Sequence, residues 1–422
     1  MADENPQASP SRTETPVRDQ PEIIPLASVP APAAPPSPKN LHAYTSEAPP
    51  PTAVDFEFLD VSPGRPPGKL RTFATWARNV ATGKSWVMDL NVVTTNRCTQ
   101  TCPMCNSYVL AQTNRRMMSI EEFRRYLRKL APYGVASCTI SGGEPTIVPD
   151  MPEILIEAQK SFPFGVTLIS NFYGNTKRIL RVMDTALKLG VRISCSFDGF
   201  DDVADKQRGA RNVAEHVLAH LKLVLERKRE LNSHAPITLH TVLSDDNVAQ
   251  YPQILALVRE LGLRHTVAPV NDFGYVAANL EEGEAMPTTL SPSPELDRAV
   301  QLAVASDNLV QSHAFVKGIP AYVSKQGFEK VCPYLTPGLK RFKLFLEPNG
   351  DISLCDRQPI GNLDTQTLEE IFEGDAYAER VKNSLEPCPG CWLTCFVEMP
   401  LSVKPSNILK LDFLHRRAPK GL

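Results

Sequence analysis

Residues Met88–Cys105 read MDLNVVTTNRCTQTCPMC, and they join a strand-like run directly to three cysteines. The first part, Met88–Thr95, is rich in apolar and β-branched residues, which favours a buried β-strand. The second part carries Cys98, Cys102 and Cys105, so three thiols lie on one short loop. The stretch therefore predicts a strand whose carboxyl end opens into a metal-binding loop.

Strand-like and helix-like segments alternate from this point to about residue 270. The predicted strands are Met88–Thr95, Val135–Ser141, Gly165–Asn171, Val191–Asp198, Pro236–Leu243 and Arg264–Val270. The predicted helices between them are Ser119–Leu130, Asp150–Lys160, Thr176–Leu189, Asn212–Leu231 and Asn247–Leu261. Such alternation is typical of a parallel sheet with right-handed crossovers. We therefore expect an α/β fold built as a partial (β/α)6 TIM-type barrel.

Polar and glycine-rich groups follow the predicted strands, at the edge where the active sites of such folds gather. The second strand ends in Ser141-Gly142-Gly143-Glu144-Pro145, the third in Ser170-Asn171 and the fourth in Ser196-Phe197-Asp198-Gly199. Because alternate residues of a strand share a face, we expect Ser194, Ser196 and Asp198 to face the barrel lumen. The thiols of Cys138 and Cys195 fall on the opposite faces and are expected in the core.

The bulk composition limits the classes of partner. The chain has 422 residues, ten cysteines, a formal net charge of −2 at pH 7 and a pI of about 6.5. This balance gives no electrostatic reason to expect nucleic acid or an anionic membrane as a partner. No run approaches the ~18 apolar residues of a membrane span, and no secretory signal is visible. Cysteines clustered at 98–105 and 388–395 favour metal binding in a reducing compartment, so a cytoplasmic protein is expected.

The thiol loop, residues 98–105, carries soft donors suited to iron–sulfur clusters and to zinc. Three protein ligands on a four-iron cluster leave one iron open for a reactant, whereas a structural zinc site needs four ligands. The Cys-x3-Cys-x2-Cys spacing, with Met104 before the third cysteine, and the later Gly-Gly-Glu-Pro element resemble the radical S-adenosylmethionine (SAM) superfamily. The resemblance implies a [4Fe–4S] cluster on Cys98, Cys102 and Cys105 whose open iron chelates SAM. It also implies an external electron donor such as flavodoxin or ferredoxin, and a 5′-deoxyadenosyl radical that abstracts hydrogen from a substrate.

The same resemblance implies residues that surround SAM. The implied cofactor-binding positions are Met104, Gly142, Gly143, Glu144, Asn171, Ser196, Asp198 and Arg208. The resemblance implies that the backbone of the Gly-Gly-Glu turn contacts the SAM amino group. It implies that Asn171, Ser196 and Asp198 contact the SAM ribose or carboxylate. It also implies that Arg208 pairs with the SAM carboxylate. Residues 267–269 are implied as an adenine shelf. His240 is expected to face the lumen, as a core histidine or a catalytic one, and no catalytic base is assigned.

The C-terminal cysteines follow a second pattern. Two strand-like runs, Lys343–Glu347 and Asp351–Cys355, flank an Asn-Gly pair that favours a hairpin, and Gly350 lies five residues before Cys355. This segment resembles the SPASM/twitch region of the family, which implies a small Cys-rich domain with one auxiliary [4Fe–4S] cluster. The implied metal ligands are Cys332, Cys355, Cys388 and Cys391. Cys395 either replaces one of these four ligands or has no assigned role. A zinc knot on the same thiols is the alternative.

Composition and these resemblances together suggest how the chain is divided. We expect a disordered Pro-rich tail at 1–70, the radical SAM barrel at 88–270 and a linker that contributes to the substrate pocket at 271–330. The auxiliary-cluster domain is expected at 331–398 and a C-terminal tail at 399–422. One helix is predicted near Pro294–Ser306 and another near Thr367–Glu373.

Three functions fit these features. The favoured hypothesis is hydrogen abstraction from a small-molecule biosynthetic intermediate, which would be oxidised or rearranged. It is favoured because residues 1–87 are too short and too rich in proline for an N-terminal peptide-recognition domain. The first alternative is the same chemistry on a ribosomal peptide or a protein side chain. The second is a non-catalytic iron–sulfur scaffold or electron carrier, although such a protein has no need of the SAM-pocket motifs.

Overall fold

The structure, a computed structural model, describes residues 59, 61, 68–82, 84, 86–105, 107, 110–111, 114–271, 288–336, 342–355 and 357–402. Most of the expected tail at 1–70, residues 272–287 of segment 271–330 and most of segment 399–422 lie outside these residues. No helix in the described part of the chain is both long enough and apolar enough to cross a membrane.

One sheet organises the described chain. Its strands are β1 (Asp89–Val93), β2 (Ser137–Ser141), β3 (Val166–Ser170), β4 (Arg192–Ser196), β5 (Ile237–Leu243), β6 (Arg264–Pro269), β7 (Lys343–Leu346), β8 (Asp351–Ser353) and β9 (Pro359–Asn362). Their order is β6-β5-β4-β3-β2-β1-β7-β8-β9, and β1 to β6 pair in parallel with their neighbours in the sequence. The predicted open, partial barrel is confirmed, and the carboxyl ends of its six strands meet at one edge.

Helices connect the strands and cover the outer face of the sheet. They are α1 (Lys69–Ala81), α2 (Ile120–Leu130), α3 (Met151–Ser161), α4 (Thr176–Leu189), α5 (Asp201–Arg208), α6 (Val213–Glu230), α7 (Tyr251–Glu260), α8 (Pro294–Val304), α9 (His313–Lys317), α10 (Ile319–Ser324), α11 (Leu368–Glu373), α12 (Asp375–Arg380) and α13 (Thr394–Ser402). Local signals begin several of them: Ser119 forms a capping box with Glu122, and the Asn175 side chain accepts from Arg178 N. The predicted helices are confirmed, whereas α1, α5, α9, α10, α12 and α13 were not predicted.

The strands of the barrel alternate in burial as the sequence predicts. In β2 and β4 every second residue is buried, and Cys138 and Cys195 are 1% and 0% exposed. These two thiols therefore pack under the helices, as expected. The intervening residues, including Ser194 and Ser196, are half-buried and lie on the other face of the sheet, so the polar set faces the lumen.

The C-terminal hairpin extends the barrel sheet. β7 pairs in parallel with β1, and β8 and β9 follow antiparallel, so the predicted hairpin around Gly350 is confirmed. Further side-chain contacts connect the segment after the barrel to the C-terminal helix. Gln311 donates to Val267 O at 2.9 Å and to Thr394 Oγ1 at 3.0 Å, and Glu398 accepts from Ser312 N at 2.7 Å. The cysteine-rich region therefore packs directly beside the first strand.

Candidate iron–sulfur and SAM site

The thiol loop follows β1 at the carboxyl edge of the sheet. Cys102 is 8% exposed, and Cys98, Met104 and Cys105 are half-buried. Neighbouring strands hold the loop: Asn171 Nδ2, after β3, lies 3.4 Å from Cys98 Sγ and donates to Thr99 Oγ1 at 3.1 Å. The Thr99 hydroxyl in turn donates to Tyr173 O at 2.7 Å. The fold thus brings the predicted Asn171 against the first of the three predicted thiols.

The glycine turn, residues 142–145, packs against the backbone that leads into the thiol loop. Gly143 N donates to Thr95 O at 2.6 Å and Glu144 N donates to Arg97 O at 2.9 Å. A Cβ atom would lie 2.4 Å from Thr95 O if added to Gly142, and 2.0 Å from Arg97 O if added to Gly143. Only glycine permits this approach. The two glycines therefore fix the position of the thiol loop relative to β2.

The Glu144 side chain is fully buried and bonded within the protein. Its carboxylate accepts from Thr146 N at 3.0 Å, from Ser170 Oγ at 2.8 Å and from Asn171 N at 2.8 Å. Burial raises the pKa of this carboxyl above its ordinary value, and the three donors oppose that shift. The carboxylate thus joins the end of β2 to the end of β3 and fixes the position of Asn171. Because the Glu144 side chain is bonded within the protein, only the backbone of the turn can contact a ligand.

Helix α5 places Arg208 against the middle of the thiol loop. Arg208 Nη2 lies 2.6 Å from Asp198 Oδ2, and both side chains are nearly inaccessible, at 11% and 0% exposure. The Asp198 carboxylate also accepts from Val242 N at 2.8 Å. The Arg208 carbonyl lies 3.5 Å from Cys102 Sγ, and Thr101 Oγ1 donates to Gly209 O at 2.7 Å. Asp198 is therefore positioned to hold the guanidinium, and Arg208 is the charged group beside the thiols.

Two buried donors beside the thiols indicate that an anionic group belongs here. Arg208 Nε and Gln100 Nε2 have no hydrogen-bond acceptor among the described residues. A buried donor without an acceptor costs about 1–3 kcal/mol, and cluster sulfides or the SAM carboxylate would supply acceptors. Burial raises the pKa of Cys98 to about 12 and that of Cys102 to about 11. The positive charge of Arg208 lowers the pKa of Cys102 and so offsets part of the effect of burial. Bound iron would favour the thiolates, so this residue set fits a cluster with SAM.

A four-iron cluster and a single zinc ion arrange their thiolate ligands differently. Within the described ranges, no three His, Cys, Asp or Glu side chains converge closely enough to hold one metal ion. A four-iron cluster spreads its thiolate ligands over different iron atoms, whereas a zinc ion draws four ligands into one tetrahedron.

A buried arginine that the sequence did not predict joins the hairpin to the thiol loop. Arg357 bonds Glu347 through Nε at 2.9 Å and Nη2 at 2.7 Å. It also donates to Asn96 Oδ1 at 2.7 Å and to Ser107 Oγ at 2.9 Å, and Ser107 donates to Gly142 O at 3.0 Å. Arg357 follows Cys355 by two residues, so one side chain connects the auxiliary cysteines to both the thiol loop and the glycine turn.

The remaining predicted residues lie along the lumen. Ser196 is half-buried and stands beside His240 in the β4–β5 register. His240 Nδ1 lies 2.9 Å from Thr266 Oγ1. In the predicted adenine shelf, Val267 N donates to Gln311 Oε1 at 2.7 Å and Val267 O accepts from Gln311 at 2.9 Å. The Gln311 amide therefore satisfies both backbone groups of Val267, whose side chain is 1% exposed and packs in the core.

His240 should make stability depend on pH. Burial, with Arg208 nearby, lowers the pKa of His240 from 6.5 to about 4. The unfolded chain binds the proton first, so stability falls as the pH drops below about 6.5 and is lost progressively down to about pH 4. Between pH 8 and pH 6 this one group should cost about 0.8 kcal/mol of unfolding free energy. Anaerobic urea unfolding should show a loss of stability that is about 0.8 kcal/mol larger in the unmodified protein than in His240→Gln; equal losses would contradict the assignment.

The C-terminal thiols separate into two groups. Cys332, Cys355, Cys388 and Cys391 line one small cavity of about 30 Å³, together with Lys330, Tyr334 and Phe396. Lys330 Nζ donates to Cys388 O at 2.6 Å and orders the segment before Gly390. Cys395 does not line this cavity, although it is near enough to Cys391 to affect its pKa. Four of the five predicted ligands are thus brought together.

Comparison with known families agrees with both cysteine groups. Residues 92–263 match the radical SAM superfamily and residues 339–392 match the SPASM iron–sulfur cluster-binding domain. The first match spans β1 to α7 and contains the thiol loop and the glycine turn. The second contains the hairpin and three of the four thiols that line the cavity.

Named relatives share most of this span. A PqqA peptide cyclase of Bradyrhizobium diazoefficiens is 28% identical over 310 residues, covering 70% of this chain and 76% of the relative. A second, from Gluconobacter oxydans, is 27% identical over 314 residues, covering 72% and 82%. These names identify enzymes, so the hypothesis of a non-catalytic scaffold is wrong.

Solved structures share the fold. Streptococcus suis SuiB bound to precursor peptide SuiA has a TM-score of 0.53 and 17% identity, covering 83% of this chain and 79% of that one. anSMEcpe with bound AdoMet and Cp18Cys peptide has a TM-score of 0.51 and 14% identity, covering 70% and 82%.

These comparisons contradict the favoured hypothesis of a small-molecule substrate. The named relatives are peptide cyclases, and the solved neighbours are bound to peptides. The hypothesis took the lack of a peptide-recognition domain at residues 1–87 as a sign of a small substrate. That inference fails because a peptide can be bound elsewhere on the chain or by another protein. This chain is an enzyme of the radical SAM superfamily, with a [4Fe–4S] cluster, SAM and an auxiliary cluster in its SPASM domain.

Proposed function

We propose that the enzyme cleaves SAM reductively and abstracts hydrogen from a side chain of a ribosomally made peptide, which is then oxidised or cross-linked. The observation that carries the proposal is the similarity to PqqA peptide cyclases over 310 residues, which covers 70% of this chain and 76% of the relative. The proposal covers the barrel at 88–270, a pocket contribution from 271–330 and the auxiliary domain at 331–398.

The residues at the carboxyl edge support distinct tasks in this reaction. When bound, a reduced [4Fe–4S] cluster with SAM supplies the 5′-deoxyadenosyl radical. Cys98, Cys102 and Cys105 would hold that cluster, with Met104 shielding it, and leave one iron without a protein ligand. The backbone of Gly142 and Gly143 would accept from the SAM amino group, since carbonyl oxygens are acceptors.

Charged and polar groups would orient the rest of SAM. Arg208 would pair with the SAM carboxylate through Nε, because that donor has no acceptor among the described residues. Asp198 and Glu144 would act through Arg208 and Asn171, whose positions their carboxylates set. Ser196 would bond the ribose from the lumen face of β4. His240, neutral at pH 7 with a pKa of about 4, would present its free imidazole nitrogen to the lumen.

The substrate class can be tested with the short peptides encoded beside the gene. Each is synthesised with deuterium on its side-chain carbons and incubated anaerobically with the enzyme, SAM and dithionite. We expect at least one deuterated peptide to transfer deuterium into 5′-deoxyadenosine, and the unlabelled form of that peptide to lose two mass units on oxidation or cross-linking. The peptide assignment would be contradicted if none of these peptides stimulated SAM cleavage and no deuterium appeared in 5′-deoxyadenosine. SAM cleavage without peptide would still support the SAM chemistry.

One auxiliary cluster on Cys332, Cys355, Cys388 and Cys391 follows from the cavity that those four thiols line. The reconstituted enzyme should therefore contain about eight iron atoms per chain, four for each cluster. We expect Cys391→Ala to halve the iron content, to retain SAM binding and to impair peptide turnover. The matched variant Cys395→Ala should keep the full iron content, because that thiol lies outside the cavity. About four iron atoms plus one zinc in the unmodified protein would favour a zinc knot instead.

The electron for SAM cleavage must come from outside the chain. We propose a low-potential carrier of the flavodoxin or ferredoxin type in the cytoplasm, where thiols and clusters stay reduced.

A further inference from the structure

Helix α1 turns an apolar face to solvent. Three of the four large apolar side chains that are exposed in the described part of the chain lie on it: Leu70 at 85%, Phe73 at 49% and Val80 at 66% exposure. The smaller apolar residues exposed beside them are Ala74, Ala77 and Ala81. At 3.6 residues per turn these six side chains span about 120° of the helix surface. That is the width of a stripe that a surface helix normally buries.

The opposite face of α1 attaches it to the barrel, and that face carries polar groups. Thr72 and Asn79 are buried there. Asn79 Nδ2 donates to Pro132 O at 3.1 Å, and Trp76 Nε1 donates to Gly134 O at 2.7 Å. Because these acceptors lie just before β2, α1 packs at the amino edge of the sheet, opposite the thiol loop. A helix oriented with its apolar stripe outward indicates that another element covers the stripe.

Charge restricts what that element can be. Helix α1 carries Lys69, Arg71 and Arg78 and no acidic residue. A second copy of α1 packed on the same face would bring these like charges together, which disfavours self-association through this helix. An acidic segment with apolar side chains would instead be attracted to it.

The chain itself contains such a segment. The 58 residues before Leu59, the first residue that the structure describes, include eight acidic and three basic side chains. Among them, an apolar residue recurs at every third position: Ile23, Leu26, Val29, Pro32 and Pro35. Six prolines lie between positions 25 and 38, and proline favours the polyproline II helix, which has three residues per turn. In that conformation the five recurring side chains would share one face.

The repeat lengths of the two surfaces match. One turn of polyproline II advances about 9.3 Å. Leu70 and Ala77, at the centre of the exposed face, are seven residues apart and so about 10.5 Å apart along the axis of α1. Apolar side chains at the spacing of Leu26 and Val29 can therefore enter the gaps between successive turns of α1.

The segment is also tethered close to α1. The carbonyl of Leu59 accepts from Lys188 Nζ at 2.9 Å, near the start of β4, and so also lies at the amino edge of the sheet. A linker of about 23 residues between Pro36 and Leu59 spans at least about 25 Å, whereas β4 and β2 are only about 10 Å apart. Tethering gives an effective concentration in the millimolar range, so even weak docking would be populated.

We propose that residues 22–36 dock along the exposed face of α1 as a polyproline II segment of the same chain. The docked segment would cover Leu70, Phe73 and Val80. It would also hold the acidic N-terminal part of the chain at the amino edge, away from the carboxyl edge where SAM and the peptide are proposed to bind.

Photocrosslinking in the full-length, cluster-loaded enzyme tests this proposal. Phe73 is replaced by p-benzoylphenylalanine, which on irradiation reacts with C–H bonds of the group that lies against it. Trypsin releases residues 19–39 as one peptide, because it cleaves after Arg18 and Lys39, so mass spectrometry of the digest identifies the occupant. The control carries the same photoreactive residue in place of Arg229, which is exposed near the end of α6.

We expect position 73 to crosslink to residues 19–39 within one chain, at the mass of the monomer, and position 229 to give at least about fivefold less of this product. Leu26→Asp combined with Val29→Asp should reduce the product at least about fivefold, because both apolar contacts are lost. The matched pair, Ser28→Asp with Ala31→Asp, adds the same charge on another face of a polyproline II helix and should retain most of it. SAM cleavage driven by dithionite should be unchanged in all these variants, since α1 lies at the opposite edge.

Three results would overturn the proposal. Crosslinks from position 73 that join two chains would identify a second copy as the occupant. A yield with residues 19–39 that is no higher from position 73 than from position 229 would show that the segment does not dock on α1. Equal losses in the two aspartate pairs would contradict docking through the face that carries Leu26 and Val29. Loss of SAM cleavage in the unmodified enzyme would bear on the proposed function and not on this docking.

Discussion

Cys102→Ala should reduce dithionite-driven release of 5′-deoxyadenosine to the level of a protein-free control. Cys102 is the most buried of the three thiols and lies beside the carbonyl of Arg208, at the centre of the loop. Removing it leaves two ligands, which cannot hold a four-iron cluster with one defined open iron. Chromatographic quantitation of 5′-deoxyadenosine from the anaerobically reconstituted variant measures the effect.

The control is the same substitution at a thiol of the core. Cys138 is 1% exposed within β2 and lies away from the lumen. Cys138→Ala should keep full iron content and at least half of the SAM cleavage. Equal loss in both variants would show that cleavage depends on the integrity of the sheet and would argue against a specific ligand role for Cys102.

Arg357→Met should destabilise the protein strongly and lower its affinity for SAM. The side chain is 8% exposed and pairs bidentately with Glu347, which is 6% exposed. Breaking a buried pair on one side costs about 3–5 kcal/mol, because the other charge stays buried without a partner. Loss of the bonds to Asn96 and Ser107 should also loosen the thiol loop and raise the Kd for SAM. Anaerobic denaturant unfolding and equilibrium binding measure the two effects.

A double-mutant cycle separates these two roles. Arg357→Met with Glu347→Gln removes both charges, so much of the stability should return, whereas SAM affinity should stay low because Asn96 and Ser107 remain without their donor. Arg357→Lys should retain the charge but lose the planar fork, giving an intermediate Kd. Restored SAM affinity in the double variant would mean that Arg357 acts only on stability.

Periodicity in the sequence was sufficient to predict the barrel. β1 to β6 and the helices between them follow the expected ranges closely, because their apolar residues recur at the spacing of buried strands and amphipathic helices. The ends of β2, β3 and β4 also carry the residues that the fold brings to one edge. Glu144, Asn171 and Asp198 were expected there, but their partners were not.

The missed features all depend on contacts between residues far apart in the sequence. Helix α5 is short and acidic, and it offers little apolar periodicity, yet it positions Arg208. Arg357 has a positive φ of 59° and donates four hydrogen bonds to three residues, at positions 96, 107 and 347. Neither its spacing from Cys355 nor its surroundings in the sequence indicate such a role.

The nature of the substrate was the one prediction that failed. The proposed SAM contacts lie in the barrel lumen, and the chemistry of SAM cleavage is the same for a peptide substrate and for a small molecule. Composition at the N-terminus could not decide between them, because recognition of a peptide need not use that segment. The decision came instead from relatives that share about 70% of this chain.

The whole mechanism depends on one iron of the cluster that has no protein ligand, at the carboxyl edge of the barrel. Electron–nuclear double resonance on the reduced cluster, with SAM labelled by ¹⁵N and ¹⁷O in its amino acid part, tests that corner directly. Strong coupling of both labels to the cluster is expected, and it should disappear in Cys102→Ala. A reduced cluster that shows neither coupling at saturating SAM would mean that its fourth iron is closed to the nucleoside.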